Sequence, residues 1–380
     1  MDESVVFEMW STVSKQKVAV ATLNRPASLN SLTLEMVQSL TRQLRMWERD
    51  GSIAMVVLKG AGEKAFCAGG DIRQVYESVV ANVTGRPWDN AYARAFFETE
   101  YRLDYLIHTY MKPVLCWGSG IVMGGGAGLM MGASHRITCE TTRFAMPEVT
   151  IGIYPDAGGT WMLSRLAPGI GVFLALTGTQ LGASDCQFLG LADYFLDSSR
   201  WADLRSALET QAWSDSRDEN DVVLHQVLLS LRTTQSLPPG PLRERYSRIA
   251  ELCAGPDFEA ICDRLLALAD TDDAWLRQAA TTFRVGAPGS ARLSFTLLRS
   301  VHAMSLADIF RQEYMVSLQC AAMGDFQEGV RALIVDKDKA PRWNPHTRAG
   351  ASQDWVRRFF VPAWPDSILH PMADLGVQVS

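Results

Sequence analysis

Hydrophobic residues near the start of the chain follow two spacings, one typical of strands and one typical of helices. The segment KVAVATLNRP (17–26) is a short β-branched and apolar run that ends in a turn signal, which predicts a strand. In residues 31–51 the apolar positions 32, 36, 37, 40, 44 and 47 have helical spacing, and Gly51 can end that helix. Residues 54–60, AMVVLKG, form another apolar run and predict a buried strand.

This alternation continues through about the first 200 residues. Residues 91–111 have a helical pattern, whereas KPVLCWGSG (112–120) and HRITCE (135–140) predict strands. Strands that alternate with helices predict an α/β core, and the pattern after residue 200 is helical. The sequence therefore predicts three regions: an α/β core at 8–200, a helical C-terminal region at 201–345, and an irregular tail rich in Trp, Pro and Arg at 346–380.

One segment is long and apolar enough to raise the question of a membrane span. Residues 113–134 carry no charge over 22 positions, a length that could cross a bilayer. They also contain three consecutive glycines at 124–126, which make a poor helix interior. The segment is therefore interpreted as a buried strand, a turn and a buried helix, and we expect no membrane association.

Charge and composition exclude several classes of protein. The net charge is 36 − 42 = −6 with no block of five like charges, which argues against a nucleic-acid partner or an anionic-membrane anchor. Six histidines show no H-E-x-x-H spacing, so no metal site is predicted. Seven cysteines without a C-x-x-C pair are typical of reduced thiols. Residues 1–16 have no signal-peptide or transit-peptide pattern, so we expect a cytoplasmic location, or an organelle matrix if a targeting segment has been removed.

Two glycine-rich turns stand out, FCAGGD (66–71) and VMGGGAGLMMG (122–132). In the dinucleotide-binding fingerprint a third glycine would fall on Met123 or Leu129 in the two registers, so that fingerprint fails. No Gly-Lys-Ser/Thr follows either turn, which excludes a Walker-type phosphate loop.

These turns can instead present backbone N–H groups to a developing negative charge. The second turn enters a helix at about residue 126, and the first N–H groups of a helix have no partner within it. A second donor from the AGG turn at 68–70 would complete an oxyanion hole with two amides. Composition alone does not show whether the two turns meet in space.

The segment FAMPEVTIGIYPDAGGT (144–160) carries two acids, Glu148 and Asp156, and no basic residue between them. Carboxylates in an apolar segment are costly to desolvate, so they either reach water or belong to a site. Glu148 could also begin a helix, and Asp156 follows a proline where turn residues are common. No G-x-S-x-G elbow is present, and Cys67 has no paired histidine pattern, so it is interpreted as a small packing residue.

Several segments, in order along the chain, resemble the crotonase, or enoyl-CoA hydratase/isomerase, superfamily. The resemblance covers about residues 8–345. The segments are LNRPASLNSL near the N-terminus, KAFCAGGDIR (64–73), KPVLCWGSGIVMGGGAGL (112–129), FAMPEVTIGIYPDAGGT (144–160) and EGVRALIVDKDKAPRW (328–343).

Within this superfamily the chain looks most like the 3-hydroxyisobutyryl-CoA hydrolase branch. In the hydratases an acid follows the glycine triplet, and the corresponding position here is Gly128. The hydrolase branch has a Pro-Asp-x-Gly-Gly turn, which matches PDAGG at 155–159. The segment FFETEY (96–101) resembles the glutamate-bearing helix of that branch, and its matching acid is Glu100.

The resemblance implies a ββα spiral core and hydrolysis of a short-chain 3-hydroxyacyl-CoA thioester, as in valine degradation. It implies that the amides of Gly70 and Gly125 form the oxyanion hole, that Glu148 and Asp156 are catalytic, and that Glu100 binds substrate. Glu148 would either activate water or attack the thioester carbonyl, and both routes stay open.

The resemblance also sets the expected partners. The partner is an acyl-CoA substrate, and no cofactor is expected because coenzyme A is part of that substrate. Crotonase relatives often form trimers and hexamers, so a homo-oligomer is one open state, whereas the long C-terminal region could cap such an interface. Two alternatives remain, an enoyl-CoA hydratase or isomerase and a non-catalytic acyl-CoA-binding subunit.

Overall fold

The alternating strands and helices predicted for the first 200 residues are present in the structure, a computed structural model that describes residues 4–232 and 237–377. The strands within this part of the chain are β1 Val5–Ser11, β2 Lys17–Leu23, β3 Ile53–Gly60, β4 Ala65–Cys67, β5 Val114–Gly118, β6 Ile121–Met123, β7 His135–Thr138, β8 Arg143–Ala145 and β9 Tyr194–Phe195.

The first helix lies between β2 and β3, and the last one ends at Arg357. The helices are α1 Leu34–Arg49, α2 Ile72–Ala81, α3 Ala91–His108, α4 Gly125–Gly132, α5 Gly159–Ser164, α6 Ile170–Thr177, α7 Ala183–Phe188, α8 Trp201–Glu209, α9 Arg217–Leu231, α10 Pro241–Glu244, α11 Tyr246–Cys253, α12 Phe258–Ala267, α13 Ala274–Val285, α14 Pro288–Ser300, α15 Leu306–Met323, α16 Phe326–Val330 and α17 Gln353–Arg357.

The predicted helix at 31–51 is confirmed as α1. The Thr33 side chain caps it by accepting a hydrogen bond from the Met36 N–H, which satisfies one of the free amides at the start of the helix. The predicted apolar stripe is buried at Met36, Val37, Leu40, Leu44 and Trp47. Helical spacing therefore identified both the element and its buried face.

The structure divides into two compact units. The first contains the described residues of Met1–Gly70, Leu106–Phe144 and Leu181–Glu244. Its larger sheet has the order β1-β2-β3-β5-β7-β9, in which β1 and β2 are antiparallel and the following pairs are parallel. Strands β2 and β3 are almost entirely buried, which explains their continuous apolar sequences.

A smaller sheet has the order β4-β6-β8. Strand β4 pairs with β6 in parallel, with Ala65 opposite Ile121 and Cys67 opposite Val122. Because the strands are parallel, their carboxyl ends lie at the same edge of the sheet. Both glycine-rich turns leave the sheet from that edge.

The second unit contains the described residues of Asp71–Tyr105, Ala145–Gln180 and Arg245–Ser380, and it is mainly helical. Helix α15 buries apolar residues such as Phe310 together with the polar residues Glu313 and Ser317. Polar groups inside a packed unit are costly unless they find partners, so these two side chains need hydrogen bonds.

The two units interleave along the chain, whereas the three predicted regions are contiguous, and the predicted boundaries at 200 and 345 stay a prediction. The helical pattern predicted after residue 200 is confirmed by α8 to α16. The predicted irregular tail contains helix α17 and a 3₁₀ turn at Arg358–Phe360, while residues 378–380 lie outside the described part. None of the helices in the described ranges is long and apolar enough to cross a bilayer.

Candidate active site

The two glycine-rich turns predicted to supply backbone donors are neighbours in the first unit. Strand β4 ends at Cys67 and leads into Gly69 and Gly70, and strand β6 ends at Met123 and leads into α4. Helix α4 begins at Gly125, so the Gly125 N–H belongs to the first turn, where amides have no partner within the helix. The predicted start at about residue 126 is one residue late.

These turns approach each other so closely that only glycine fits. A Cβ added to Gly69 would lie 3.2 Å from the Met123 carbonyl oxygen and 3.5 Å from the Gly125 nitrogen. A Cβ added to Gly126 would lie 2.3 Å from the Cys67 carbonyl oxygen. The structure therefore answers the question that composition left open, because it brings the loops that carry Gly70 and Gly125 into contact.

The first turn is also fixed from the opposite side by the segment around residue 30. The Leu32 N–H donates to the Gly69 carbonyl at 2.9 Å, and the Ala68 N–H donates to the Leu29 carbonyl at 3.0 Å. Leu32 and Gly70 form a parallel bridge. This backbone network holds the AGG turn in one conformation.

Glu148 lies in the second unit, where Pro147 leads into a 3₁₀ turn at Glu148–Thr150. Its side chain is buried, and its Oε2 atom has no hydrogen-bond partner among the described residues. Burial raises the pKa of the Glu148 carboxyl well above its usual range, and the charge of Asp156 adds to the increase. Glu148 is the first residue of this turn, as the helix-start alternative expected, but its burial does not fit an acid that reaches water.

Asp156 lies on a tight turn of the second unit and is partly exposed. The turn needs a left-handed backbone at Ala157, with φ of 51°, and at Gly158, with φ of 80°. The Tyr101 hydroxyl donates to Asp156 Oδ2 at 2.5 Å. Desolvation raises the pKa of the Asp156 carboxyl to about 6, and the hydrogen bond from Tyr101 acts against that increase.

Glu100 lies on α3 in the same unit and is buried, with Oε1 unpaired among the described residues. Asp104 follows one helical turn later, is also buried, and has neither oxygen paired within that part of the chain. Burial raises the pKa of both carboxyl groups well above their usual range, and neighbouring acids add to the effect. The sequence reasoning missed Asp104, although its spacing of four from Glu100 places both on one helix face.

Glu313 on α15 is a further buried acid that the sequence reasoning missed. It accepts hydrogen bonds from the Gly158 N–H at 2.8 Å, from the Thr160 N–H at 3.2 Å, and from the Thr160 hydroxyl. Burial raises the pKa of its carboxyl to about 8, while the hydrogen bonds from Thr160 and Gly158 lower it. Glu313 thus fixes the turn that immediately follows Asp156.

We call five acids of the second unit the carboxylate cluster: Glu100, Asp104, Glu148, Asp156 and Glu313. Burial raises the pKa of all five carboxyl groups, and the charges of other members add to the increase at Glu100, Asp104, Glu148 and Glu313. Like charges in a desolvated space cannot all ionise together, so part of the cluster is protonated at neutral pH. Such a set can accept a proton at one member and donate one from another.

Two other reactive side chains, His108 and Cys67, do not support a different kind of site. Burial lowers the pKa of His108 to about 4, which leaves the imidazole neutral at physiological pH. The Cys67 thiol is buried and accepts a 3.4 Å contact from the Gly69 N–H, in agreement with its interpretation as a packing residue. Across the described ranges, no group of three or more His, Cys, Asp or Glu side chains is arranged to hold a metal ion.

Comparisons with known proteins agree on the ancestry of the chain. A family model described as enoyl-CoA hydratase/isomerase matches residues 18–360. The mitochondrial 3-hydroxyisobutyryl-CoA hydrolase of Danio rerio is 39% identical over 347 residues, which cover 90% of this chain and 87% of that protein. The protein of the same name from Homo sapiens is 36% identical over 329 residues, with 86% of this chain and 81% of that protein covered.

Two solved structures share the fold. A carnitinyl-CoA dehydratase from Mycobacterium thermoresistibile has a TM-score of 0.82 at 34% identity and covers 95% of this chain and 97% of its own. An enoyl-CoA hydratase from Rhodobacter sphaeroides has a TM-score of 0.81 at 33% identity and covers 95% and 98%. The fold class expected from the sequence motifs is therefore confirmed.

Proposed function

Because the chain belongs to the enoyl-CoA hydratase/isomerase family, we propose that it hydrolyses a short-chain 3-hydroxyacyl-CoA thioester of the 3-hydroxyisobutyryl-CoA type to the free acid and coenzyme A. The relatives from Danio rerio and Homo sapiens carry the name of that hydrolase and match most of the chain. The observation that carries the proposal is the pair Glu148 and Asp156, two acids of raised pKa in the second unit, together with Gly128 where hydratases have an acid.

In this proposal the thioester carbonyl oxygen accepts hydrogen bonds from the N–H groups of Gly70 and Gly125. Support comes from the contact between the two loops, which places the start of α4 beside the AGG turn. Two amides aimed at one oxygen stabilise the negative charge that develops when the carbonyl carbon is attacked, and loss of one such donor costs about 10²–10³ in rate.

Glu148 acts in one of two ways on the polarised carbonyl. As a general base it takes a proton from water while the water oxygen bonds to the acyl carbon, and the C–S bond then breaks to release coenzyme A. As a nucleophile it forms an anhydride with loss of coenzyme A, and water then opens the anhydride. In both routes its raised pKa makes the ionised carboxylate a stronger base than an exposed glutamate.

Asp156 and Glu100 complete the proposed chemistry. Asp156 orients the 3-hydroxyl group of the substrate or shares the proton transfer, for which a pKa of about 6 is well suited. Glu100 helps to fix the substrate, since its buried Oε1 atom is unpaired among the described residues and can bind a hydroxyl group. The reaction needs only water, so no cofactor is proposed beyond the coenzyme A of the substrate itself.

The alternative is an enoyl-CoA hydratase or isomerase, because the two solved structures at 33% and 34% identity carry hydratase and dehydratase names. One preparation of the protein distinguishes the two functions. We expect free thiol to appear with 3-hydroxyisobutyryl-CoA and 3-hydroxypropionyl-CoA, and no loss of enoyl absorbance with crotonyl-CoA. Loss of that absorbance without thiol release would favour the hydratase. Thioester binding with neither reaction would favour a binding subunit.

The proposal also covers the cellular location, the metabolic role and the oligomeric state of the protein. The named relatives are mitochondrial, which supports an organelle matrix as one location, with the cytoplasm as the other. A substrate of this type would place the reaction in valine degradation. A homo-oligomer is proposed by analogy with the family, and sedimentation of the purified protein tests it.

A further inference from the structure

Four hydrogen-bond contacts connect Asp156 to the backbone of α15. Asp156 Oδ2 lies 2.5 Å from the Tyr101 hydroxyl, which lies 2.7 Å from the Ser317 hydroxyl. The Ser317 hydroxyl lies 2.9 Å from the Tyr154 hydroxyl, which donates to the Glu313 carbonyl oxygen at 2.8 Å. We call Tyr101, Ser317 and Tyr154 the hydroxyl chain.

The hydroxyl chain is sealed inside the second unit. Tyr101, Ser317 and Tyr154 are each 0% exposed, whereas Asp156 at one end is partly exposed. Buried hydroxyl groups depend on each other for hydrogen bonds, because an unpaired polar group inside a protein is costly. The direction in which each hydroxyl donates is therefore set by its neighbours in the chain.

The number of hydrogen bonds in the hydroxyl chain depends on whether Asp156 is protonated. Each hydroxyl supplies one proton, and the Glu313 carbonyl supplies none, so the three hydroxyls can fill three of the four contacts. A proton on Asp156 supplies the fourth, and every contact then holds one hydrogen bond. When Asp156 is ionised, Tyr101 donates to it and one contact further along the chain is left without a proton.

We propose that Tyr101 and Ser317 are positioning residues that hold Asp156 in one place while it gains and loses a proton during the reaction. The inference rests on the proposed hydrolysis and extends it to residues that do not touch substrate. When Asp156 gains or loses a proton, the buried hydroxyls rotate and change the direction in which they donate. The carboxyl group therefore keeps a hydrogen-bond partner in both states without moving. The proton released by Asp156 goes to the reacting groups, and the hydroxyl chain exchanges no net proton.

Removal of either residue affects the two states of Asp156 differently. Tyr101→Phe removes the donor to the ionised carboxylate, and a hydrogen bond to a charged acceptor is roughly twice as strong as a neutral one. The variant therefore favours the protonated state. Ser317→Ala removes two hydrogen bonds when Asp156 is protonated but one when it is ionised, so this variant favours the ionised state.

Several titratable groups face Asp156 and share its electrostatics. They are Glu100, Tyr101 and Asp104 of α3, Glu148, Tyr154, and Glu313 and Cys320 of α15. Neither substitution changes the formal charge of any of these acids. A shift in opposite directions therefore reports the hydrogen bonds of the hydroxyl chain and not a general change in the charge of the cluster.

The test is the pH dependence of thiol release from 3-hydroxyisobutyryl-CoA, measured as kcat and kcat/KM for the full chain. We expect the limb near pH 6 to move to higher pH in Tyr101→Phe and to lower pH in Ser317→Ala, with kcat of Tyr101→Phe reduced about tenfold or more and KM changed by less than about twofold. Tyr110→Phe is the matched control, since it removes another buried hydroxyl, which donates to the Leu44 carbonyl, and should leave the limb in place.

The outcomes separate this inference from the proposed function. Limbs that coincide with wild type, or that move in the same direction in both variants, would overturn the inference. If Tyr101→Phe does not fold, the inference is tested by Ser317→Ala alone, in which the limb of the pH profile should move to lower pH. A wild-type protein that releases no thiol from any 3-hydroxyacyl-CoA ester would instead overturn the proposed function.

Discussion

Glu313 accepts a 2.8 Å hydrogen bond from the backbone N–H of Gly158, 155 positions earlier in the sequence. The same carboxyl group binds Thr160 through its N–H and its hydroxyl. Ala157, which lies between Asp156 and Gly158, has a left-handed backbone, and this conformation costs energy for a residue other than glycine. A buried side chain from a distant helix thus holds the turn that carries a proposed catalytic acid.

We expect Glu313→Ala to reduce the free energy of unfolding by at least about 2 kcal/mol, because each buried N–H left without an acceptor costs about 1–3 kcal/mol. Urea unfolding followed by circular dichroism measures the loss. Glu98→Ala is the control, since Glu98 forms an i,i+4 pair with Arg102 and pairs of that kind contribute about 0.3–0.5 kcal/mol. Equal losses in the two variants would show that Glu313 does not fix the turn.

The long elements of the first unit and the four-residue strand β7 could be predicted from their apolar patterns, whereas the three-residue strands could not. Helix α1 and strand β3 have periodic or continuous apolar patterns over seven or more residues, and both were predicted with bounds close to those observed. Strands β4, β6 and β8 have three residues each, too few for any period to show. Their pairing depends on distant partners, which a local pattern does not contain.

Some acids of the site can be identified from local sequence patterns, whereas Glu313 cannot. Glu148 and Asp156 stand out as acids in an apolar segment, whereas their roles and that of Glu100 come from the resemblance to a known family, and the structure places all three in one unit. Asp104 could have been found from its helical spacing to Glu100. Glu313 lies in a helix without a family motif, and its contact with the Asp156 turn arises only from tertiary packing.

We expect Gly126→Ala to destabilise the first unit by about 1–3 kcal/mol or more, because the added Cβ would meet the Cys67 carbonyl oxygen at 2.3 Å. The clash would also separate the loops that carry Gly70 and Gly125, so kcat should fall together with stability. Thermal unfolding and thiol release measure the two effects. In the control Gly51→Ala no atom lies within 4 Å of the new Cβ, and a change within about 0.5 kcal/mol is expected. A Gly126→Ala protein as stable and active as that control would refute the close approach.

The raised pKa values predict how stability depends on pH. Burial raises the pKa of Asp156 from 3.8 to about 6 and that of Glu313 from 4.5 to about 8. Between the unfolded and folded pKa values the folded state binds more protons, so the free energy of unfolding falls as pH rises from about 4 to about 8. Denaturant unfolding at several pH values measures this slope.

Glu313→Gln provides the matched variant for that slope, because it keeps the size of the side chain and removes its titration. We expect the part of the slope between about pH 6 and pH 8 to become flatter in this variant, since Asp156 has completed most of its titration there. An unchanged slope in Glu313→Gln would assign that titration to another group.

The most direct test of the whole account is the rate of thiol release from 3-hydroxyisobutyryl-CoA by Glu148→Gln. The substitution keeps the size of a buried side chain but removes its ability to take a proton or attack the carbonyl, so we predict a fall in kcat of about 10²–10⁴. Asp325→Asn is the matched control, because Asp325 is another buried acid of the second unit, whose carboxylate instead accepts a hydrogen bond from the Asn344 N–H, and it should keep most of the activity. A folded Glu148→Gln protein that releases thiol at the wild-type rate would contradict the account.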